Sequence, residues 1–187
     1  GDIEVVSLNR TGGLSTGNYE SLNLGGHVGD DPNSVSGNIQ TAAKSVHASA
    51  VAVLHAEHGN VVHRVSKITG VNELPLGDAA VTNEPGVALL ALAADCVPGC
   101  IVDPVNRVIA VFHAGWKGVL AQVVKATWQE MQKLGATNKS AHAILGPSIC
   151  GHCYEVDADR VDMFREIQPE CVVDNRHLDI NAGIVAQ

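Results

Sequence analysis

The middle of this chain is crowded with short aliphatic and β-branched runs, and that crowding limits the fold more than any other feature. "VAVLHAEH" (51–58), "NVVHRVS" (60–66), "GVALLALAA" (86–94), "PGCIVD" (98–103) and "RVIAVFH" (107–113) each have strand length and strand composition. Gly59 separates the first two runs in hairpin fashion, and Asp103-Pro104 begins a turn between the last two. "IEVVSLNR" (3–10) and "AHAILG" (141–146) read as further strands. Helical periods flank this block. Val35, Ile39, Ala42 or Ala43 and Val46 follow a capping Asn33, and Leu120, Val123, Thr127, Met131 and Leu134 run up to a stop at Gly135. "DADRVDMFREI" (157–167) is a short helix with an acidic cap. The 187 residues, 45% hydrophobic, suit one domain with an aliphatic core.

A formal charge of −8 with 12 basic residues leaves no stripe for a phosphate backbone, so nucleic acid is not expected as a partner. No apolar run reaches the roughly 18–20 residues that a membrane helix needs. The start "GDIEVVSLNR" lacks the basic and apolar regions of a signal peptide, which makes the cytoplasm the expected location. The five cysteines are odd in number and unevenly spaced, which points to reduced thiols rather than a disulfide framework.

The chemistry concentrates at the ends of the strand-like runs. A turn centred between Pro104 and Val105 would pair Cys96 with His113 across a hairpin, at a Cα separation of about 4.5–5.5 Å. His58 ends its own run just before Gly59. Two imidazoles and a thiol at strand ends suit zinc, and three ligands leave a position for water or substrate. His55 and His63 compete as structural histidines, and Cys96 can equally be a small buried hydrophobe. "HAGWKG" (113–118) is either a strand-to-helix turn that receives phosphate or carboxylate, with Lys117 adding charge, or an ordinary connection. The long Gly-, Asn- and Ser-rich stretch at 11–34 has the character of a functional loop.

Several motifs occur in one order along nearly the whole chain: "RTGGLS" (10–15), "SLNLGGHVGDDPNSV" (21–35), "EHG" (57–59), "ADCVP" (94–98), "HAGWKG" (113–118) and "GPSICGHCYEV" (146–156). Together they resemble the YfiH family, also called the polyphenol oxidase or LACC1-like purine nucleoside phosphorylase family. The resemblance implies a metal site, usually zinc with copper as the alternative, at His58, Cys96 and His113. It also implies phosphorolysis of adenosine, inosine, guanosine or methylthioadenosine, together with deamination of adenosine. The implied fold is α+β, with layered mixed sheets flanked by helices, similar to the cysteine-hydrolase-like fold of a bacterial deamidating toxin. Three positions depart from the family pattern. Ala56 replaces a glutamine two residues before a ligand, Ile39 replaces an arginine after Asn38, and family chains usually continue beyond the segment ending at Gln187.

Cys96, His113 and Asp95 are therefore the expected catalytic residues, with Asp95 as an orienter or proton carrier. Arg10, Asn23, Trp116 and Lys117 are the expected contacts for a purine nucleoside and phosphate. Other readings use the same residues: a metal-free Cys-His amide hydrolase acting on a cell-wall precursor, a copper-dependent phenol oxidase, or a closed structural metal site. "CGHC" (150–153) has thioredoxin-type spacing, but it follows "GPSI" without the usual preceding Trp. A buried pair behind the site, with Tyr154 and Glu155 as possible substrate contacts, is the expectation there.

Overall fold

In the computed structural model, which describes residues 3–187, the aliphatic runs become two separate sheets. The first has strands β1 (Ala50–His55), β3 (Gly70–Leu76) and β5 (Val87–Leu90), all parallel, in the order β3-β1-β5. The second has β2 (Val62–Arg64), β4 (Ala79–Thr82), β6 (Val97–Asp103), β7 (Val108–Ala114) and β8 (His142–Leu145), in the order β2-β4-β7-β6-β8. In that sheet β2 is parallel to β4, and the other pairings are antiparallel.

Alternation along β1 explains how the sheets stack. Val51 and Val53 face helix α1 (Pro32–Ser45), where they meet Val35, Ile39 and Ala43. Ala52 and Leu54 point the other way, toward Ala80 of the second sheet and Val65 just after β2. The far face of that sheet is covered by α2 (Trp116–Leu120), α3 (Val123–Lys133), α4 (Ala158–Ile167) and α5 (Ile180–Val185). Phe112, Met131, Phe164 and Leu178 form the centre of this larger core. The order across the molecule is thus helix, sheet, sheet, helices, which is the layered mixed arrangement expected.

Four local expectations differ from what is found. Residues 3–10 form no strand. β1 and β2 do not pair as a hairpin: β1, buried on both faces, lies between two parallel neighbours, and β2 belongs to the other sheet. The cap of α1 is Asp31, not Asn33; its carboxylate accepts from the Ser34 amide at 3.0 Å and Pro32 opens the helix. The helix after "GWKG" is broken in two at Gln122, whose φ of 58° interrupts the helical path.

The β6–β7 hairpin forms, but its turn sits one residue later than expected. Asp103 faces Val108, so His113 stands opposite Pro98 and Cys96 lies just beyond the strand. The cause is the Asp103 side chain. It accepts from the amides of Val105 (3.1 Å) and Asn106 (3.0 Å) inside the turn, and from the amide of Thr137 (2.8 Å) and the hydroxyl of Ser140 (2.7 Å) outside it. The turn therefore spans residues 104–107, with Arg107 in the left-handed region. Burial pushes the Asp103 carboxyl up, but hydrogen bonds from Asn106, Thr137 and Ser140 overrule it and hold it well below the usual carboxylate range.

The long loop before α1 is fastened by one fully buried side chain, Asn38. Its oxygen accepts from the Leu14 amide at 2.6 Å, and its amide nitrogen donates to Ser15 Oγ (2.9 Å) and to the carbonyls of Ser21 (3.2 Å) and Asn23 (2.8 Å). A polar stretch with little core of its own is thereby held against α1.

Two outcomes are expected. Asn38→Ala strands the buried Ser15 hydroxyl, at about 1–3 kcal/mol at most, and removes the partner of three part-buried backbone groups of the loop; it should lower the denaturation midpoint and speed proteolysis within residues 10–30. Asp103→Asn should be less stable than the parent at neutral pH. Because the native carboxyl is depressed, its stabilisation is present above the unfolded value near about 4 and is lost as pH falls through the native one. The stability gap between the two proteins should therefore narrow toward acid pH in urea titrations.

Candidate metal centre

Side chains from three separate segments converge where the sheets meet. His58 follows β1, Cys96 precedes β6 and His113 lies near the end of β7. One ligand atom from each lies within 4.8 Å of the others. The two imidazole rings meet edge to face, with centroids 4.9 Å apart and planes at 88°. His58 is exposed, Cys96 half-buried and His113 only 4% exposed, so the cluster is rooted in the core and open at one side.

The cluster owes its geometry to Asp78, which the sequence reading did not single out. Asp78 is wholly buried just before β4. Its carboxylate accepts from three successive amides, those of Glu57 (3.3 Å), His58 (2.9 Å) and Gly59 (2.6 Å). This nest holds His58 at a φ of 66°, a conformation that costs a non-glycine residue about 1–2 kcal/mol per residue. The same carboxylate lies 2.9 Å from His113 Nδ1, and the Asp78 carbonyl accepts from the His113 amide at 2.8 Å. An ionised carboxylate can only accept, so Nδ1 carries the proton and Nε2 keeps its lone pair for a ligand. Asp95, the orienter expected from sequence, makes no such contact among the described residues. It sits in the left-handed region at φ 70°, and its carbonyl accepts from the Ile149 amide at 2.9 Å.

The two-residue difference in hairpin register does not separate Cys96 from His113. Side chains alternate with a period of two, so an even displacement keeps both on one face. Gly115 makes the approach possible: a Cβ there would lie 2.9 Å from Cys96 Sγ and 2.9 Å from His58 Cδ2. Burial, then the carboxylates of Asp95 and Asp78, pushes the Cys96 thiol up from its usual value. A bare thiol there is a poor nucleophile, whereas a bound cation would reverse that preference.

The cluster opens into a cleft of about 860 Å³ between the first sheet and the long loop. Arg10, Asn23, His55 and Glu73 line it together with the three potential ligands. The Arg10 guanidinium donates to the Glu20 carbonyl (Nε, 2.9 Å; Nη2, 2.6 Å), and Asn23 donates to Asp30 at 3.0 Å. Trp116 and Lys117 are not among the lining residues. Trp116 packs on the larger core, with the Arg160 guanidinium 4.4 Å from its ring centroid and the Lys117 ammonium at 5.5 Å. Tyr154 is half-buried, and Glu155 pairs with Arg176 at the surface. Cys150 and Cys153, expected to be buried, are both exposed.

Fold and site together define a two-sheet α/β protein with a Cys-His-His metal-site candidate at the base of a cleft. It belongs to the family described as multi-copper polyphenol oxidoreductase laccase, whose model matches residues 4–187. The chain is 42% identical over 184 residues to a protein of Streptomyces coelicolor named purine nucleoside phosphorylase, covering 95% of this chain and 76% of that one. A protein of the same name from Deinococcus radiodurans is 42% identical over 159 residues, covering 83% of this chain but 60% of the relative. Among solved structures, a Neisseria meningitidis protein aligns with a TM-score of 0.77 and 30% identity, covering 95% of this chain and 73% of that one. YlmD from Geobacillus stearothermophilus aligns with a TM-score of 0.77 and 28% identity, over 95% and 74% respectively.

Asp78→Asn should weaken metal binding by about 10–100-fold, as loss of an orienting partner does elsewhere; competition with a colorimetric chelator measures it. Gly115→Ala should reduce metal affinity in the same assay, with a circular dichroism spectrum close to the parent's.

Proposed function

We propose that this chain is a zinc-dependent purine nucleoside enzyme that phosphorolyses adenosine, inosine, guanosine or methylthioadenosine and deaminates adenosine. The observation that carries this reading is the donor set itself. Two imidazole nitrogens and one thiol converge at the base of a cleft, and Asp78 holds the tautomer of His113 that leaves Nε2 free. The name purine nucleoside phosphorylase borne by the relatives supports the substrate class.

The residues present fit a catalytic zinc ion: three borderline or soft ligands, with one side open to the cleft. When bound, the metal supplies Lewis acidity for activating water or polarising a substrate oxygen. The chain's own residues do the rest. His58, Cys96 and His113 hold the ion, and Asp78 keeps the proton on His113 Nδ1. The cleft wall formed by the long loop receives the nucleoside, with Asn23 among its polar groups. Arg10 is the cationic residue lining the cleft and is assigned to phosphate. That role was expected to be shared with Lys117, which is not among the cleft-lining residues. Asp95, expected as a proton carrier, is likewise not among the cleft-lining residues and is assigned no step.

Two other readings are tested by the same experiment. The amide-hydrolase scheme needs a Cys96 thiolate, against which burial and two carboxylates act. The phenol-oxidase scheme has one Cys-His-His cluster among the described residues, few ligands for several coppers.

Elemental analysis of the purified protein should find close to one zinc per chain. Adenosine with phosphate should yield adenine and ribose 1-phosphate, and adenosine in water should yield inosine. His58→Ala should lose both metal and turnover. Arg10→Ala should raise the phosphate KM more than it slows deamination, since deamination uses no phosphate. Copper with phenol turnover, or full activity of metal-free His58→Ala on a peptidyl amide, would overturn the assignment.

A further inference from the structure

The cysteine pair that the metal site leaves unused has its own geometry. Cys150 and Cys153 are both exposed, and their sulfurs are 2.9 Å apart. The Cys150 carbonyl accepts from the amides of Cys153 (2.9 Å) and Tyr154 (3.1 Å), which closes a four-residue turn. Such a turn holds its end Cα atoms within about 7 Å, close to the span a disulfide requires.

The turn is also anchored on both sides. Before it, the Ile149 amide donates to the Asp95 carbonyl at 2.9 Å, and the Ser148 and Asn181 side chains are hydrogen bonded at 3.0 Å. Within it, Gly151 sits so close to helix α5 that a Cβ there would meet Asp179 Cβ at 2.7 Å. The two thiols are therefore brought together by the surrounding fold, and joining them requires little rearrangement of the backbone.

We infer that Cys150 and Cys153 form a reversible thiol-disulfide site that reacts with low-molecular-weight disulfides, Cys150 being the attacking sulfur and Cys153 the resolving one. The environments of the two thiols agree with this division of labour. The Cys153 thiol, then the amides of His152 and Cys153, lower the Cys150 thiol against an opposing push from burial, while the hydrogen bond to Cys150 raises the Cys153 thiol. The other cysteines are poorer competitors: Cys171 is buried, with its thiol pushed up to about 12 by burial, burial also raises Cys100, and Cys96 is assigned to the metal site.

The reaction balances in two exchanges. Cys150 loses its proton and its thiolate attacks one sulfur of the reagent. The reagent's S–S bond breaks, a mixed disulfide forms on Cys150, and the departing thiolate takes up a proton. Cys153 then loses its proton and attacks Cys150 Sγ. The mixed disulfide breaks, the Cys150–Cys153 bond forms and a second reagent thiolate leaves and is protonated. Two protein thiols are oxidised by two electrons, and one reagent disulfide is reduced to two thiols. A small exposed ring of this kind is of the labile class, so dithiothreitol reopens it.

The test uses the metal-loaded chain with glutathione disulfide, followed by acid quench, alkylation in denaturant with a chelator, and peptide mapping. The expected product is an internal Cys150–Cys153 disulfide, with the other cysteines alkylated. Cys153→Ser should accumulate a glutathione adduct on Cys150, while Cys150→Ser should react at least about tenfold more slowly. An absence of the internal disulfide overturns the inference. So does first modification at Cys96 or Cys100, or a parent-like rate in Cys150→Ser. A nucleoside assay is not part of the readout, so failure here is distinct from failure of the proposed activity.

Discussion

A single buried carboxylate, Asp78, ties the two sheets together. Its oxygens take three consecutive amides from the segment after β1 and an imidazole nitrogen from β7, which belong to different sheets. A buried anion without partners would be costly, and these donors offset that cost. The arrangement also has a chemical result: the group that holds the left-handed bend at His58 is the one that sets the tautomer of His113. Positioning of the two imidazoles and closure of the sheet junction are one interaction.

The cleft above this junction has a second organiser. Asn38 lies on α1, whose packing against β1 is aliphatic, yet its side chain satisfies four groups of the preceding loop. The loop wall is thereby tied to the same β1 strand that leads to His58. Arg10 contributes further by binding the Glu20 carbonyl, which aligns the cleft wall while keeping a cation at its surface. An open polar loop can thus form a defined surface without a core of its own, because buried hydrogen bonds supply the order that apolar packing supplies elsewhere.

The convergence of His58, Cys96 and His113 was legible in the sequence, though the route to it was inexact. The expected pairing of Cys96 with His113 assumed that Asp103-Pro104 begins the turn. In the protein Asp103 caps the turn from outside, through contacts to Thr137 and Ser140 that no local pattern reveals. Cys96 and His113 still share a face because the displacement was two residues rather than one. The β1–β2 hairpin was read from two adjacent β-branched runs around Gly59, but the amides that a hairpin would have used are taken by Asp78. The burial of Cys150 and Cys153 was likewise misjudged, since cysteine is so often buried and the exposure of this turn depends on how α5 packs beside it.

The sequence by itself determined the kinds of element, most of their cores and the identity of the three potential ligands, because periodicity and donor chemistry are local properties. Val35, Ile39, Ala42 and Ala43 had to face a core at their helical spacing, and two histidines with a cysteine at run ends had to be considered together. Only the tertiary structure decided which strands are neighbours, that Asp78 rather than Asp95 holds His113, and that Arg10 lines the cleft while Trp116 and Lys117 do not. Those outcomes depend on which buried polar groups find each other across long sequence separations. That is a property of the whole assembled core, in which each carboxylate and amide must be satisfied at once.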